Sequence, residues 1–355
     1  MFVFAVTQVS TLLARDLTWS GLGRAILVMA LVWWAWSAFV WAANADDPTS
    51  GTLRAVLLFG ALLIFIAALA LPSAYGDGAV VFAVAYTIVR LLHLALYADV
   101  SHRGHAAFRA IAGFSVTVIV GMALLIAGAL LKGAWLVALW TLAAAIDYAG
   151  PGLLTRRQLH GLQQVAVEHF AERYSLFVII CLGESVVAIG LGAEVRHLDA
   201  TLLTGASLML LVTVGLWWAY FDRLAALAED RLRTHTAPVL AASDAYSYIH
   251  LIVVAGIIVF AAGARIAVAG IDQAPSVAGS LALGGGVALY LLGLLLFRRR
   301  IAGTLSLPTT VGVAASLVLA VVGSHAPAWV EALALVVLLA GVQVWERRES
   351  STANG

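Results

Sequence analysis

The sequence predicts an all-α, polytopic transmembrane bundle of about 12 spans. Three observations lead there. Charged residues are only 11% of the 355 and hydrophobic residues are 63%, whereas a soluble chain carries about 25% charge. The apolar residues come in successive blocks of about 20, the length a helix needs to cross a hydrocarbon core about 30 Å thick. Lys and Arg collect in alternate connections between those blocks, as they do in chains that weave through a bilayer.

In order, the apolar windows cover 1–14, 22–44, 53–72, 78–98, 108–131, 133–150, 174–193, 200–221, 246–268, 278–297, 302–323 and 328–345. The first holds 14 residues and rises about 21 Å, too little to span. No basic segment precedes it, as one would in a cleavable signal, and the natural chain is expected to start earlier. The closely spaced pairs around Lys132 and around Arg298–Arg300 set the range of the count at 10–12. Of the 20 Lys and Arg, 13 fall in one set of connections and 4 in the other, while Arg90, Arg173 and Arg265 lie within or at the start of helices. That bias places both termini in the cytoplasm and favours an even helix count. Two long connections, near 151–173 and 222–245, mix Arg, His and acidic residues. The first, PGLLTRRQLHGLQQVAVEHFAERY, suits either an amphipathic surface segment or a solvated loop. The tail at 349–355 reads as disordered.

An internal repeat is also expected. FVFAVTQVS (2–10) followed by LVWWAWSAF (31–39) is similar to FVIICLGES (177–185) followed by VGLWWAYFD (214–222). Each pair begins with Phe-Val and reaches a Trp-Trp pair one helix later. Six helices per copy is an even number, so the copies would be parallel repeats, with halves at 1–165 and 166–348.

Composition removes several function classes. A net charge of +1 leaves no electrostatic footprint for nucleic acid. Cys181 is the single cysteine, so neither an intrachain disulfide nor a cysteine-based metal site can form. Phosphate-binding glycine patterns and nucleophile elbows do not occur. His102 and His105 form an HxxH without a third ligand in its neighbourhood, so no metal is expected. No cofactor is expected either; the partners are membrane lipids and an unidentified small-molecule solute. No motif speaks to the oligomeric state.

Polar residues at bilayer depth cost at least about 2.5–3.5 kcal/mol each and point to function. Tyr86, Arg90, His93 and Tyr97 fall on one face of the fourth window, with Arg90 near mid-depth. Glu184 lies at similar depth in the seventh window, between Gly183 and Ser185, small residues that permit close backbone approach. Equal depth and opposite charge predict an Arg90–Glu184 pair; Glu184 is equally a candidate proton carrier. Gln8 is a buried amide in need of partners. Secondary candidates are His169, Glu172 and Arg173 at a helix mouth, Asp147 and Asp222 near the cytoplasmic interface, and His250 on a face with Ser243 and Ser247. Trp33, Trp34, Trp36, Trp41, Trp217 and Trp218 serve either as interfacial anchors or as the aromatic wall of a cavity.

The stretch ERYSLFVIICLGESVVAIG (172–190) resembles the signature of the bacterial low-temperature-requirement family, LtrA. The start, FVFAVTQVSTLLARDLTW, is similar to that family's N-terminal signature, in which an acidic segment resembling ELFFDLV precedes FVFA; that segment is absent here. Thr11 and Cys181 depart from the commoner family residues. The resemblance implies a polytopic protein of the bacterial inner membrane, linked by name to growth in the cold. Three functions fit. The leading one is a secondary transporter or permease for a small solute, with or without proton coupling, using Arg90, Glu184, His93, Tyr86 and Gln8. The others are a membrane-embedded enzyme acting on lipids or isoprenoids, and a non-catalytic scaffold or sensor in cold adaptation. A central aqueous cavity, a lateral apolar one, or none separates the three.

Overall fold

Residues 1–45, 51–102, 108–154 and 167–353 are described by the structure, a computed structural model. Among them the protein is helical throughout, as a chain in lipid must be to satisfy its backbone N–H and C=O groups internally. The helices are α1 (Phe2–Arg15), α2 (Trp19–Ala45), α3 (Gly51–Ala70), α4 (Ala79–His102), α5 (Phe108–Leu131), α6 (Gly133–Ala149), α7 (Val167–Ala193), α8 (Ala200–Phe221), α9 (Leu224–Arg233), α10 (Pro238–Ala242), α11 (His250–Ala269), α12 (Val277–Ala302), α13 (Leu307–Val322) and α14 (Ala328–Ala353). Among the described residues eleven stretches are long and apolar enough to cross a membrane, and α1 is a shorter apolar helix. This is a multi-pass membrane protein. Leu58, Leu62, Val116, Leu130, Val321 and Val337 lie exposed on outer faces, which is why the helices are apolar on all sides rather than amphipathic.

Local chemistry sets the helix ends. Asp199 and Ser276 cap α8 and α12 by accepting from Leu202 N–H (2.7 Å) and Gly279 N–H (3.1 Å), which satisfies donors a helix start leaves open. Lys132 and Gly133, at φ 58° and 56°, reverse the chain between α5 and α6. The close pair of windows there is thus two helices. Arg298–Arg300 extend α12 by its last turn, where cations suit the helix dipole, until Gly303 at φ 73° stops it.

Two expectations change here. The connection at 222–245 is largely helical, with α9 burying Leu224, Ala228 and Leu232. The tail expected to be disordered continues α14 as far as Ala353. Residues 155–166 of the first long connection, most of the HxxH segment (103–107) and 354–355 lie outside the described residues.

The chain packs as two compact units. The first holds Met1–Leu12, Gly23–Arg173 and Arg233–Ser247; the second holds Leu13–Leu22, Tyr174–Leu232 and Tyr248–Gly355. In the first, α3, α4, α5 and α6 pack in chain order. Tyr86 on α4 donates to the Leu31 carbonyl of α2 (2.9 Å), and Tyr148 on α6 donates to the Ala30 carbonyl (2.7 Å). In the second, α11, α12, α13 and α14 pack in chain order, and α14 packs on α8. Tyr290 on α12 donates to the Leu216 carbonyl of α8 (2.7 Å). The α11–α12 pair is the most closely approached. A Cβ at Gly256 or Gly263 would strike the backbone of α12, and one at Gly286 or Gly293 would strike that of α11. Loops on one side are tied by Arg196 donating to Asp272 (2.6 Å). This hydrogen bond holds the exposed Asp272 carboxyl below its ordinary range.

Candidate functional site

Arg90 stands at the middle of the 24-residue α4 and is 2% exposed. Its Nη2 donates to Oδ1 of Asp147 on α6 at 2.7 Å, and Asp147 is 1% exposed. The predicted partner was Glu184; the observed one is Asp147. Depth alone misled, because an arginine head is carried on a long stem and reaches along the bundle from its own Cα. Asp147, two residues before the end of α6, therefore meets a head group whose Cα lies deeper. The Arg90 Nη1 lies 3.3 Å from His93 Nδ1. A guanidinium has only donors, so Nδ1 is the acceptor, and the neutral ring carries its proton on Nε2. Tyr97 and Phe114 pack against that ring, with centroids 4.8 and 6.0 Å away.

Around this pair is a cavity of about 90 Å³, several times the roughly 10–15 Å³ that one water requires. Arg90, His93 and Tyr97 line it from α4, Trp34, Ser37, Ala38 and Trp41 from α2, and Phe114 from α5. Asp147 and Pro151 line it from α6 and the turn after it, Val239 from α10, and Ser243 and Ser247 from the π-helical stretch Ser243–Ile249. All belong to the first unit. The cavity sits toward the end of that unit where α2, α4 and α6 finish and α5 and α10 begin.

Serine and tryptophan hold the walls. Trp33 Nε1 donates to the Ser247 carbonyl (2.7 Å), Trp41 Nε1 to the Ser247 hydroxyl (2.8 Å), and Ser37 to the same hydroxyl (3.0 Å). Trp34 stacks on Tyr148 at 4.1 Å. Two polar atoms of the ion pair itself, Arg90 Nε and Asp147 Oδ2, are buried without a hydrogen-bond partner. Each such atom costs about 1–3 kcal/mol, more when charged. Replacing a buried ion pair by apolar residues is often neutral or stabilising. The pair borders the cavity, while those two atoms themselves have almost no surface open to it.

A match to the family model of the bacterial low temperature requirement A protein (LtrA) spans residues 1–344, nearly the whole chain and every wall of this cavity. The chain belongs to the LtrA family. An uncharacterized protein of Rhizobium meliloti (strain 1021) is 30% identical to this LtrA chain over 312 residues, which cover 84% of it and 75% of the relative. No solved structure matches.

The remaining candidates disperse over the LtrA fold. Tyr86 is fully buried one turn before Arg90 and ties α4 to α2 without lining the cavity. Gln8 is half-buried on α1. Glu184 is buried on α7 in the second unit. Its neighbour Gly183 meets nothing where a Cβ would stand, so the expected close approach is absent there; Gly192, two turns on, makes it against Arg265. His169 and Glu172 form an exposed pair at 3.8 Å, and Arg173 donates to the Val40 carbonyl (3.5 Å). His250 does not share a face with Ser243 and Ser247. The π-helical stretch Ser243–Ile249 shifts the register, and His250 bonds Tyr220 (2.8 Å) in the second unit. Asp222 is held by Arg347 at 2.9 Å. Of the tryptophans, Trp34 and Trp41 form cavity wall, whereas Trp217 and Trp218 are 45% and 40% exposed. Ser247 was singled out only as a neighbour of His250, and Ser37 carried no signal in the sequence, since a lone serine in an apolar helix usually bonds its own backbone.

Proposed function

We propose that this LtrA protein is a permease of the bacterial inner membrane, and that the Arg90–Asp147 cavity is its solute site. One observation carries the reading: a buried ion pair, incompletely hydrogen-bonded, lines a cavity within membrane-spanning helices. Charge in such a place marks substrate and ion pathways. The cavity lies toward the ends of α2, α4 and α6, whose connections belong to the Arg-rich set. By the positive-inside rule that side is the cytoplasm, with both termini on it. The matching neighbour order α3–α6 and α11–α14, with Tyr86 and Tyr290 each tied to the carbonyl of a Trp-rich helix, supports two parallel six-helix repeats, a common carrier plan. Glu184 takes the coupling proton in this reading, as a buried carboxyl in mid-helix.

Counterflow in proteoliposomes tests the proposal. With a panel of labelled small organic solutes, neutral and charged, the protein is expected to move at least one saturably and about ten-fold faster than protein-free vesicles. The Arg90→Met/Asp147→Leu double variant is expected to lose that flux while keeping its fold. Equal flux in a folded double variant, or no flux from any solute, would sink the reading.

A further inference from the structure

We propose that a second pocket, at the cytoplasmic end of α8, α12 and α14, holds the phosphate head of an anionic phospholipid whose chains lie along the exposed face of α8. The inference takes only the side of the membrane from the permease reading; the Arg90–Asp147 cavity plays no part in it. The pocket measures about 570 Å³, and every residue lining it belongs to the second unit. Its inner wall is apolar, built from Leu291, Leu294 and Leu295 of α12, Val342 of α14, and Leu224 and Leu227 of α9. Leu224, Leu227 and Arg231 fall at i, i+3 and i+7 of α9, so one face of that short helix closes the pocket.

Four arginines, Arg223, Arg231, Arg298 and Arg347, line it against three acids, Asp222, Glu346 and Glu349. Two of the acids are engaged. Asp222 meets Arg347 with one oxygen (2.9 Å) and Arg223 with the other (3.5 Å). Glu346 Oε1 accepts from Ser306 and from Thr309 (2.7 Å), with Arg298 3.5 Å away. The arginines stay more open than these partners. Their side chains are 44% (Arg223), 34% (Arg298) and 46% (Arg347) exposed, against 26% for Asp222 and 21% for Glu346. The pocket therefore presents mainly guanidinium, the group that meets a phosphate with several N–H donors at once. Position makes a lipid the source of that phosphate. The Arg347 head lies over the Trp218 ring, 4.9 Å from its centroid. Leu211, Val214 and Trp218, at i, i+3 and i+7, form an exposed stripe on α8 that ends there. An acyl chain laid along the stripe brings its own head group to Arg347, at the level where Trp marks the interface. Basic pockets among helices on the cytoplasmic side suit anionic heads, and a free phosphate gains nothing from the stripe.

Native mass spectrometry of the full, delipidated chain tests this, with phosphatidylglycerol, phosphatidylcholine and inorganic phosphate as the probes. Phosphatidylglycerol is expected to bind about ten-fold tighter than phosphatidylcholine, by a margin that shrinks as salt screens the arginines. Inorganic phosphate is expected not to displace it at equal concentration. Arg298→Gln/Arg347→Gln is expected to weaken the phosphatidylglycerol complex about ten-fold. Leu227→Glu, which adds a carboxylate to the pocket wall and leaves every arginine in place, is expected to weaken it as well. Phosphatidylcholine binding as tightly as phosphatidylglycerol, inorganic phosphate binding as tightly as the lipid, or phosphatidylglycerol binding unchanged in either folded variant would overturn the inference. The result is separate from that of counterflow, since a chain that moves no solute can still hold a lipid here, and a permease can lack this site.

Discussion

Asp147 decides whether Arg90 can stay where it is. Moving a charge out of water costs several kcal/mol even after relaxation, and only a close counter-charge offsets it. The 2.7 Å contact supplies that counter-charge. Asp147→Asn therefore leaves a buried guanidinium unpaired and is expected to destabilise the protein by about 3–5 kcal/mol, read as a lowered unfolding temperature in detergent. The Arg90→Met/Asp147→Leu double variant is expected to recover most of that loss, because it removes both charges together. A double variant no more stable than Asp147→Asn would mean that the pair holds the bundle together rather than serving a ligand. At this scale the sequence was informative about burial and poor about pairing. Arg90, His93 and Tyr97 were legible as one polar helix face, and they do line one cavity. Asp147 was visible as the sole acid of its helix, but the depth of its Cα hid how far an arginine reaches.

Helix spans were legible nearly throughout, because the length of an apolar block maps directly onto bilayer thickness. What escaped was structure whose signal is not apolar. The segment at 222–245 forms α9 and α10 through a few buried residues, and the π-helical stretch Ser243–Ile249 has no sequence signature of its own. That one stretch separates Ser247, at the cavity, from His250. Small residues were legible as a type but not by position. Gly183, singled out beside Glu184, faces open space, whereas Gly256, Gly263, Gly286 and Gly293 bring the backbones of α11 and α12 together, as small residues do at helix interfaces in lipid. Gly286→Val must push Phe260 and its helix away and is expected to cost about 3 kcal/mol, the upper end for overpacking. Gly183→Ala is expected to be neutral or slightly stabilising, since alanine is the better helix former. Thermal unfolding of the two variants side by side checks this; equal losses would contradict the packing described for α11 and α12.

For the molecule as a whole, composition announced a membrane protein at once, and the family match over residues 1–344 agrees with that assignment. The boundary between packing units was less legible. The two expected halves meet at one point in the chain, while the units exchange the short segments Leu13–Leu22 and Arg233–Ser247. Hydropathy reports which residues are apolar and is silent on which neighbours they choose. The exchange matters to the site, because Val239, Ser243 and Ser247 come from the later segment. The central claim is that this cavity is a passage for solute, and water reaching it from both faces of the membrane is what a passage requires. Cys181 is the only native thiol and is buried, so Ala38→Cys in a Cys181→Ala background reports on the cavity alone. A membrane-impermeant methanethiosulfonate applied to oriented vesicles is expected to modify Cys introduced at position 38 from either side. Modification from one side only, or from neither, would contradict the account.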